Sequence, residues 1–389
     1  MKLTSINLLF LIFIIAGCQK EQAKTGFANN ELTDPNANNL IIDSRFSIKI
    51  FASDIDAPRQ MAQDSQGRIY VGSKRSGKIF ALIDSDNNGE VDEKILIANN
   101  LNFVTGISFF EGDLFFSEID KIWSIENINS YFSSSLKKLP QKILITDNLP
   151  SDEWHGWKWI KHDKKGNLYT NVGAPCNVCL KDDRRYATIL RLNNDSWDFV
   201  ARGVRNSVGF DFHPTTQKLY FTDNGRDWLG DDLPSCELNR VDNEGSFYGF
   251  PYKHAKNIID PDFGNINSGF DFVDPILELG AHVAPTGIAF YGGTMFPKEF
   301  QENLFIALHG SWNRSQKAGY KILRVIFNEE GNVKASEDFI TGWLYYKLDE
   351  NGNVSETVYG RPSAPFIMSD GSMLISDDKA NLIYRVTLK

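Results

Sequence analysis

Several short segments carry the side chains best suited to chemistry. The first is Asp152-Glu-Trp154-His155-Gly-Trp157-Lys158-Trp159. An imidazole accepts a proton near neutral pH, and indoles around it can form a platform for a sugar or a planar cofactor. A histidine packed among core tryptophans is the alternative. The second is Ala201-Arg202-Gly203-Val-Arg205-Asn206. Two guanidinium groups beside a glycine bend can fork onto a carboxylate, or make surface salt bridges. The third runs from Thr222 to Asp232, with Asn224, Gly225, Arg226, Asp227, Trp228, Gly230 and Asp231 inside it and Glu237 and Asn239 beyond. It offers the carboxylate and backbone oxygens that calcium takes, or is a solvated acidic loop. Leu308-His309-Gly310-Ser311-Trp312-Asn313-Arg314 and Gly360-Arg361-Pro362 each place an arginine just after a strand or turn.

Asp84-Ser-Asp86-Asn-Asn88-Gly89 has oxygen ligands at alternate positions around a glycine turn. That suits a structural calcium ion, although Ile95 stands where an EF-hand would have its bidentate glutamate. A solvated hairpin turn fits equally. Of the four cysteines, Cys176 and Cys179 form a CxxC. Leu180 follows it, which excludes covalent haem attachment, and there is no second cysteine pair for a four-thiolate zinc site. A local disulfide or a free redox pair remains, with Cys236 left over.

One phrase recurs along the chain, a polar turn feeding an alternating β run. It appears at Asp64–Gly67, Glu111-Gly112, Asp163–Gly166, His213–Lys218, Phe300–Asn303 and Ser369–Gly371. Each reads as a hairpin. Six such phrases at irregular spacing predict an all-β, six-bladed β-propeller with variable insertions. Two tandem β-sandwiches would need a linker, and no Pro/Gly/Ser-rich stretch divides the chain. The longest insertions, 175–185, 223–239 and 260–282, are loops where such a fold would keep its chemistry.

The formal net charge of -9 argues against nucleic acid as a partner. Lys and Arg are scattered, so no polybasic membrane patch is present. The N-terminus reads as a leader: Met1-Lys2, then an apolar stretch Leu8–Ala16, too short to span a bilayer, then Ile15-Ala16-Gly17-Cys18. The last four resemble a bacterial lipobox. The expected organisation is a signal peptide over 1–17, a lipid on Cys18, a flexible polar tether over 18–43, and a propeller over 44–389. The protein would sit in the cell envelope, on the membrane only through its lipid.

Taken together, Arg-Gly-x-Arg-Asn, Thr-Asp-Asn-Gly-Arg-Asp-Trp-Leu-Gly-Asp-Asp, Tyr-Gly-Phe-Pro, Ala-Pro-Thr-Gly and His-Gly-Ser-Trp-Asn-Arg, in that order, resemble the glucose/sorbosone dehydrogenase family, its sorbosone dehydrogenase-like branch above all. The resemblance covers roughly Phe46 to Leu388. It implies a six-bladed propeller that oxidises an aldose or sugar aldehyde with pyrroloquinoline quinone (PQQ) and calcium, passing electrons to an acceptor the sequence does not name. By resemblance, His155 is the catalytic base. Arg205, Asn206 and Arg361 meet the cofactor, and Lys158 and Arg314 occupy cofactor-facing positions with the charge but not always the family's residue. Gly225 and Arg226 hold the catalytic calcium through backbone carbonyls, near Asp231 or Asp232. Two other readings compete: a propeller without cofactor that binds glycan or protein, and a calcium-dependent lactone hydrolase. The first predicts that His155 and Arg205 need not converge. The second requires a calcium cradle of Glu, Asp and Asn without arginine clamps.

Overall fold

The computed structural model describes residues 27–29, 40–133, 138–348 and 354–389. The leader and Cys18 lie outside them. Six sheets of at least four antiparallel strands follow one another around a central axis. In each, the innermost strand stands at one end of the sheet: Pro58–Gln63, Ile107–Phe110, Ile160–His162, Phe210–Phe212, Pro285–Phe290 and Pro362–Ile367. The ring closes where Phe46–Ala52 joins Leu382–Leu388 as the outer strand of the last blade. This antiparallel clasp links the two ends of the fold through main-chain hydrogen bonds.

All six recurring phrases fall between a blade's innermost and second strands. Asp64 shows why their composition is needed. Its carboxylate accepts the backbone N–H of Gln66 and Arg68, and Gly67 takes φ +86°, a left-handed turn that favours glycine. Alternating residues of the strands then face neighbouring blades. Phe46, Phe296, Phe300, Phe305 and Phe339 pack edge to face in one such seam. Buried side chains of this size each stabilise the fold by about 1.5–3 kcal/mol.

The packed fold begins at Leu40, not at 44. Leu40 and Ile42 are buried in that aromatic seam, and Ile41–Asp43 pairs with the edge of Val333–Thr341. Phe27–Asn29 pairs in turn with Ile41–Asp43. The predicted tether therefore contains strand-forming segments, because its apolar residues at 40 and 42 find a core to fill.

The turn phrases lie at one end of the propeller axis. At the other end, the second strand of each blade stops and the next innermost strand begins. That end carries the candidate site.

Candidate active site

At that end a cavity of about 570 Å³ is lined by His155, Arg205, Asn206, Gly225 and Arg361, all singled out from sequence. Arg59, Lys74, Trp157, Asp227, His309 and Trp312 line it too. Position in the blades explains the convergence. Arg59 opens one innermost strand, and Arg361 precedes another. Lys74, Asn224 and His309 each directly follow a second strand.

His155 is buried, with φ +57°. A Cβ at Gly173 would lie 2.6 Å from the His155 Cβ, so glycine there makes room for the ring. The Nδ1–H donates to the Ala174 carbonyl at 2.6 Å. That bond fixes the tautomer and leaves Nε2 with the lone pair. Burial first, and the Arg205 charge second, lower the pKa of His155 to about 3. The imidazole is therefore neutral at physiological pH and able to take a proton.

Asp223 sets the Arg205–Asn206 pair in place. Its carboxylate accepts both backbone N–H groups, at 2.8 and 2.6 Å. The Arg205 guanidinium donates to the Asn177 carbonyl and side chain and meets Asp227 at 3.2 Å. Burial holds the Asp223 carboxyl, and that of Glu237 opposite it, well above the usual carboxylate range.

Asn177 lies between Cys176 and Cys179, whose sulfurs are joined as a disulfide, while Cys236 is a buried free thiol. The Asn177 Oδ1 also accepts the Asp227 N–H at 2.8 Å, and its amide donates back to the Asp227 carbonyl at 3.1 Å. Asn177→Ala removes these side-chain bonds at a cost of about 1 kcal/mol each. The expected result is about 2–3 kcal/mol of lost stability in denaturant unfolding. An unchanged midpoint would show that Asn177 does not hold Arg205.

On the other side of the cavity, Arg59 pairs with Asp378 at 2.5 Å, and His309 Nε2 meets the same carboxylate at 2.7 Å. Burial opposes ionisation of Asp378, but Arg59, His309 and Lys74 together hold it well below the usual range. Burial, with Arg59 beside it, lowers Lys74 to about 8. The Arg361 guanidinium donates to the carbonyls of His309 and Gly310, and among the described residues no carboxylate pairs with it. Arg59 Nε, Trp157 Nε1 and Asn206 Oδ1 are buried without a hydrogen-bond partner among the described residues.

Five predicted residues do not line this cavity. Lys158 is not in this cavity. It is only 2% exposed, its ammonium donates to the Gly156 carbonyl, and it lines an adjoining void of about 10 Å³ that shares Arg59, Trp157 and Val208 with the cavity wall. Arg314 is not on the cavity wall either; it binds the Asp231 carbonyl and the Asp232 carboxylate. Asp231 and Asp232 are thereby committed to the neighbouring loop, Asp231 also accepting the Ser315 N–H. The Arg226 side chain turns away to Asp260 at 2.5 Å. Gly225 stays on the wall, beside the unpaired Asn206 oxygen.

At the distant turn, the carboxylates that approach one another are Asp84, Asp86 and Asp92, within 4.8 Å. Asn88 lies in the same turn, its side-chain oxygen accepting the Glu90 N–H at 2.8 Å.

Sequence reasoning missed Arg59, Lys74 and Asp378 as site residues. A signal was available: each sits where a blade's second strand ends or its innermost strand starts, as Arg361 and His309 do.

The TrAA12-like family model matches residues 40–257 and 265–389. The chain belongs to the TrAA12-like family. An uncharacterized protein of Borreliella burgdorferi (strain ATCC 35210 / DSM 4680 / CIP 102532 / B31) is 37% identical over 358 residues, spanning 89% of this chain and 90% of that one. A pyrroloquinoline quinone-dependent sugar dehydrogenase of Hypocrea jecorina (strain QM6a) is 23% identical over 361 residues, spanning 79% of this chain and 80% of the relative. The holo form of the pyranose dehydrogenase PQQ domain from Coprinopsis cinerea shares the fold, with a TM-score of 0.71 and 18% identity, over 90% of this chain and 97% of that one. The Hypocrea jecorina relative and the Coprinopsis cinerea structure carry names of the PQQ-dependent sugar dehydrogenase kind that the motifs resemble.

Proposed function

We infer that this protein is a quinoprotein oxidoreductase that oxidises an aldose or a sorbosone-type sugar aldehyde. One observation carries the reading: a neutral histidine of fixed tautomer shares a cavity with Arg59, Lys74, Arg205 and Arg361. PQQ carries three carboxylates, and this cation set in an acidic chain fits them. Arg361, whose guanidinium pairs with no carboxylate among the described residues, suits one of them. The unpaired Asn206 oxygen, with Gly225 and Asp227 on the same wall, offers the hard oxygen donors that calcium takes. Held there, PQQ would supply a hydride acceptor and calcium a Lewis acid for the reaction. His155 Nε2 takes the sugar hydroxyl proton, and Arg205 with its Asp223 support orients the anion. A lactone hydrolase needs a cradle of carboxylates and amides, which this cationic lining is not. The same proposal places the protein in the cell envelope, tethered through Cys18 and passing electrons to an external acceptor.

The test is reconstitution of purified protein with PQQ and calcium. Expected are calorimetric binding of the quinone and sugar-dependent dye reduction on an aldose panel. Absence of quinone binding would overturn the proposal.

A further inference from the structure

We propose that Trp228 and Trp312 form a rigid platform at the cavity mouth that stacks the second ring of an oligosaccharide whose reducing end reacts at His155; this rests on the sugar-oxidising function inferred above. The two indoles are 71% and 67% exposed, and both line the same cavity as the 7%-exposed His155. Large aromatic side chains left in water around a polar cleft mark a binding surface. Their rings meet at 5.7 Å and 86°, so the edge of one braces the face of the other.

The backbone supports the same conclusion. Trp228 has φ +71°, a left-handed conformation that bulky residues avoid. The loop is held in that state by bonds from three directions. Asn177 accepts the Asp227 N–H, Asn313 donates to the Asp227 carboxylate at 2.6 Å, and His282 Nε2 bonds to the Gly230 carbonyl at 2.8 Å. Arg314, reaching Asp232 at 2.8 Å, ties this loop to the one bearing Trp312. The Trp312 loop is anchored by the Ser311 N–H on the Ala318 carbonyl and by the Tyr320 hydroxyl on the Ser311 carbonyl. Arg314, Asp231 and Asp232 thus acquire a role: they fix two indoles relative to each other. A platform fixed in advance loses little entropy when it binds.

Depth decides the size of the ligand. A ring held at buried His155 leaves the outward indole faces bare, and a second ring covers them. Trp154, also on the wall with its ring 5.7 Å from that of His155, flanks the reacting ring instead. Sugar C–H faces stack on indoles, while Asn313 and His282 on the same wall supply hydrogen bonds to hydroxyls.

The full chain, loaded with PQQ and calcium, is assayed on glucose, maltotriose and cellotriose. Trp228→Ala and Trp312→Ala are each expected to lower kcat/KM for a trisaccharide about tenfold more than for glucose, through KM, with Trp312→Phe restoring most of the loss. In parallel, the cofactor-free chain is titrated with the two trisaccharides by tryptophan fluorescence, with saturable quenching expected and its loss in both alanine variants. Equal losses on glucose and trisaccharides, or no fluorescence response to either trisaccharide, overturn the platform. Saturable trisaccharide binding without oxidation of any sugar upholds the platform and overturns the dehydrogenase reading.

Discussion

His155→Ala is expected to lower kcat/KM for sugar oxidation by about 10²- to 10⁴-fold, the range of a positioned general base. Quinone binding should survive, because the cations that meet its carboxylates are on other strands and loops. The reasoning runs through the Ala174 bond. With Nδ1 donating there, Nε2 is the one ring nitrogen that can accept a proton. Burial and the Arg205 charge keep it unprotonated well below the ordinary value of 6.5. The acid limb of kcat/KM is therefore expected far below pH 6.5, and the profile should be flat through neutrality. Stability follows with a defined sign. The folded-state pKa is lowered, so the unfolded chain takes up a proton that the folded chain refuses, and stability is lost as pH falls from about 6.5 towards about 3. In His155→Ala that acid-side slope should be shallower. Activity within tenfold of wild type would remove His155 from the role of base, and an acid limb near 6.5 would show that the imidazole is not desolvated in the working enzyme.

The architecture was legible because turn chemistry is local. Asp64 and Gly67, or Asp163 and Gly166, build their hairpins from neighbours a few residues away, so six phrases marked six blades. Site residues were legible where they stood in long distinctive strings, as His155, Arg205 and Gly225 do. They were illegible where one charged side chain projects from an ordinary strand end. Nothing near Arg59 or Lys74 in the chain distinguishes them from surface cations; their meaning comes from gathering around Asp378, which pairs with Arg59 and also binds His309. Lys158 shows a further limit: it stands three residues after His155 in the same Trp-rich segment, yet it lines only the small void beside the cavity. Carboxylate density in the loop of Asp231 and Asp232 does not reveal their partners, which are the Ser315 N–H for the first carboxylate and Arg314 for the second. The boundary at 44 slipped by four residues because Leu40 and Ile42 look isolated until the seam they enter is known.

Arg361→Ala is expected to weaken PQQ binding by about 10- to 100-fold, which corresponds to about 1.5–3 kcal/mol for a charge-assisted bond. The fold should be kept, because the guanidinium bonds only to the carbonyls of His309 and Gly310 and its removal strands no buried carboxylate. Arg205→Ala makes the contrast. It takes the partner from Asp227, frees the Asn177 loop and is expected to cost about 3–5 kcal/mol of stability in addition to affinity. Arg361→Lys should fall between wild type and alanine, since the charge remains but the fork does not. Calorimetric titration with PQQ, paired with thermal unfolding of the cofactor-free chain, separates the two effects. If Arg361→Ala binds the quinone as tightly as wild type, the match between this cation set and a tricarboxylate is lost, and the positive lining of the cavity must serve another anion.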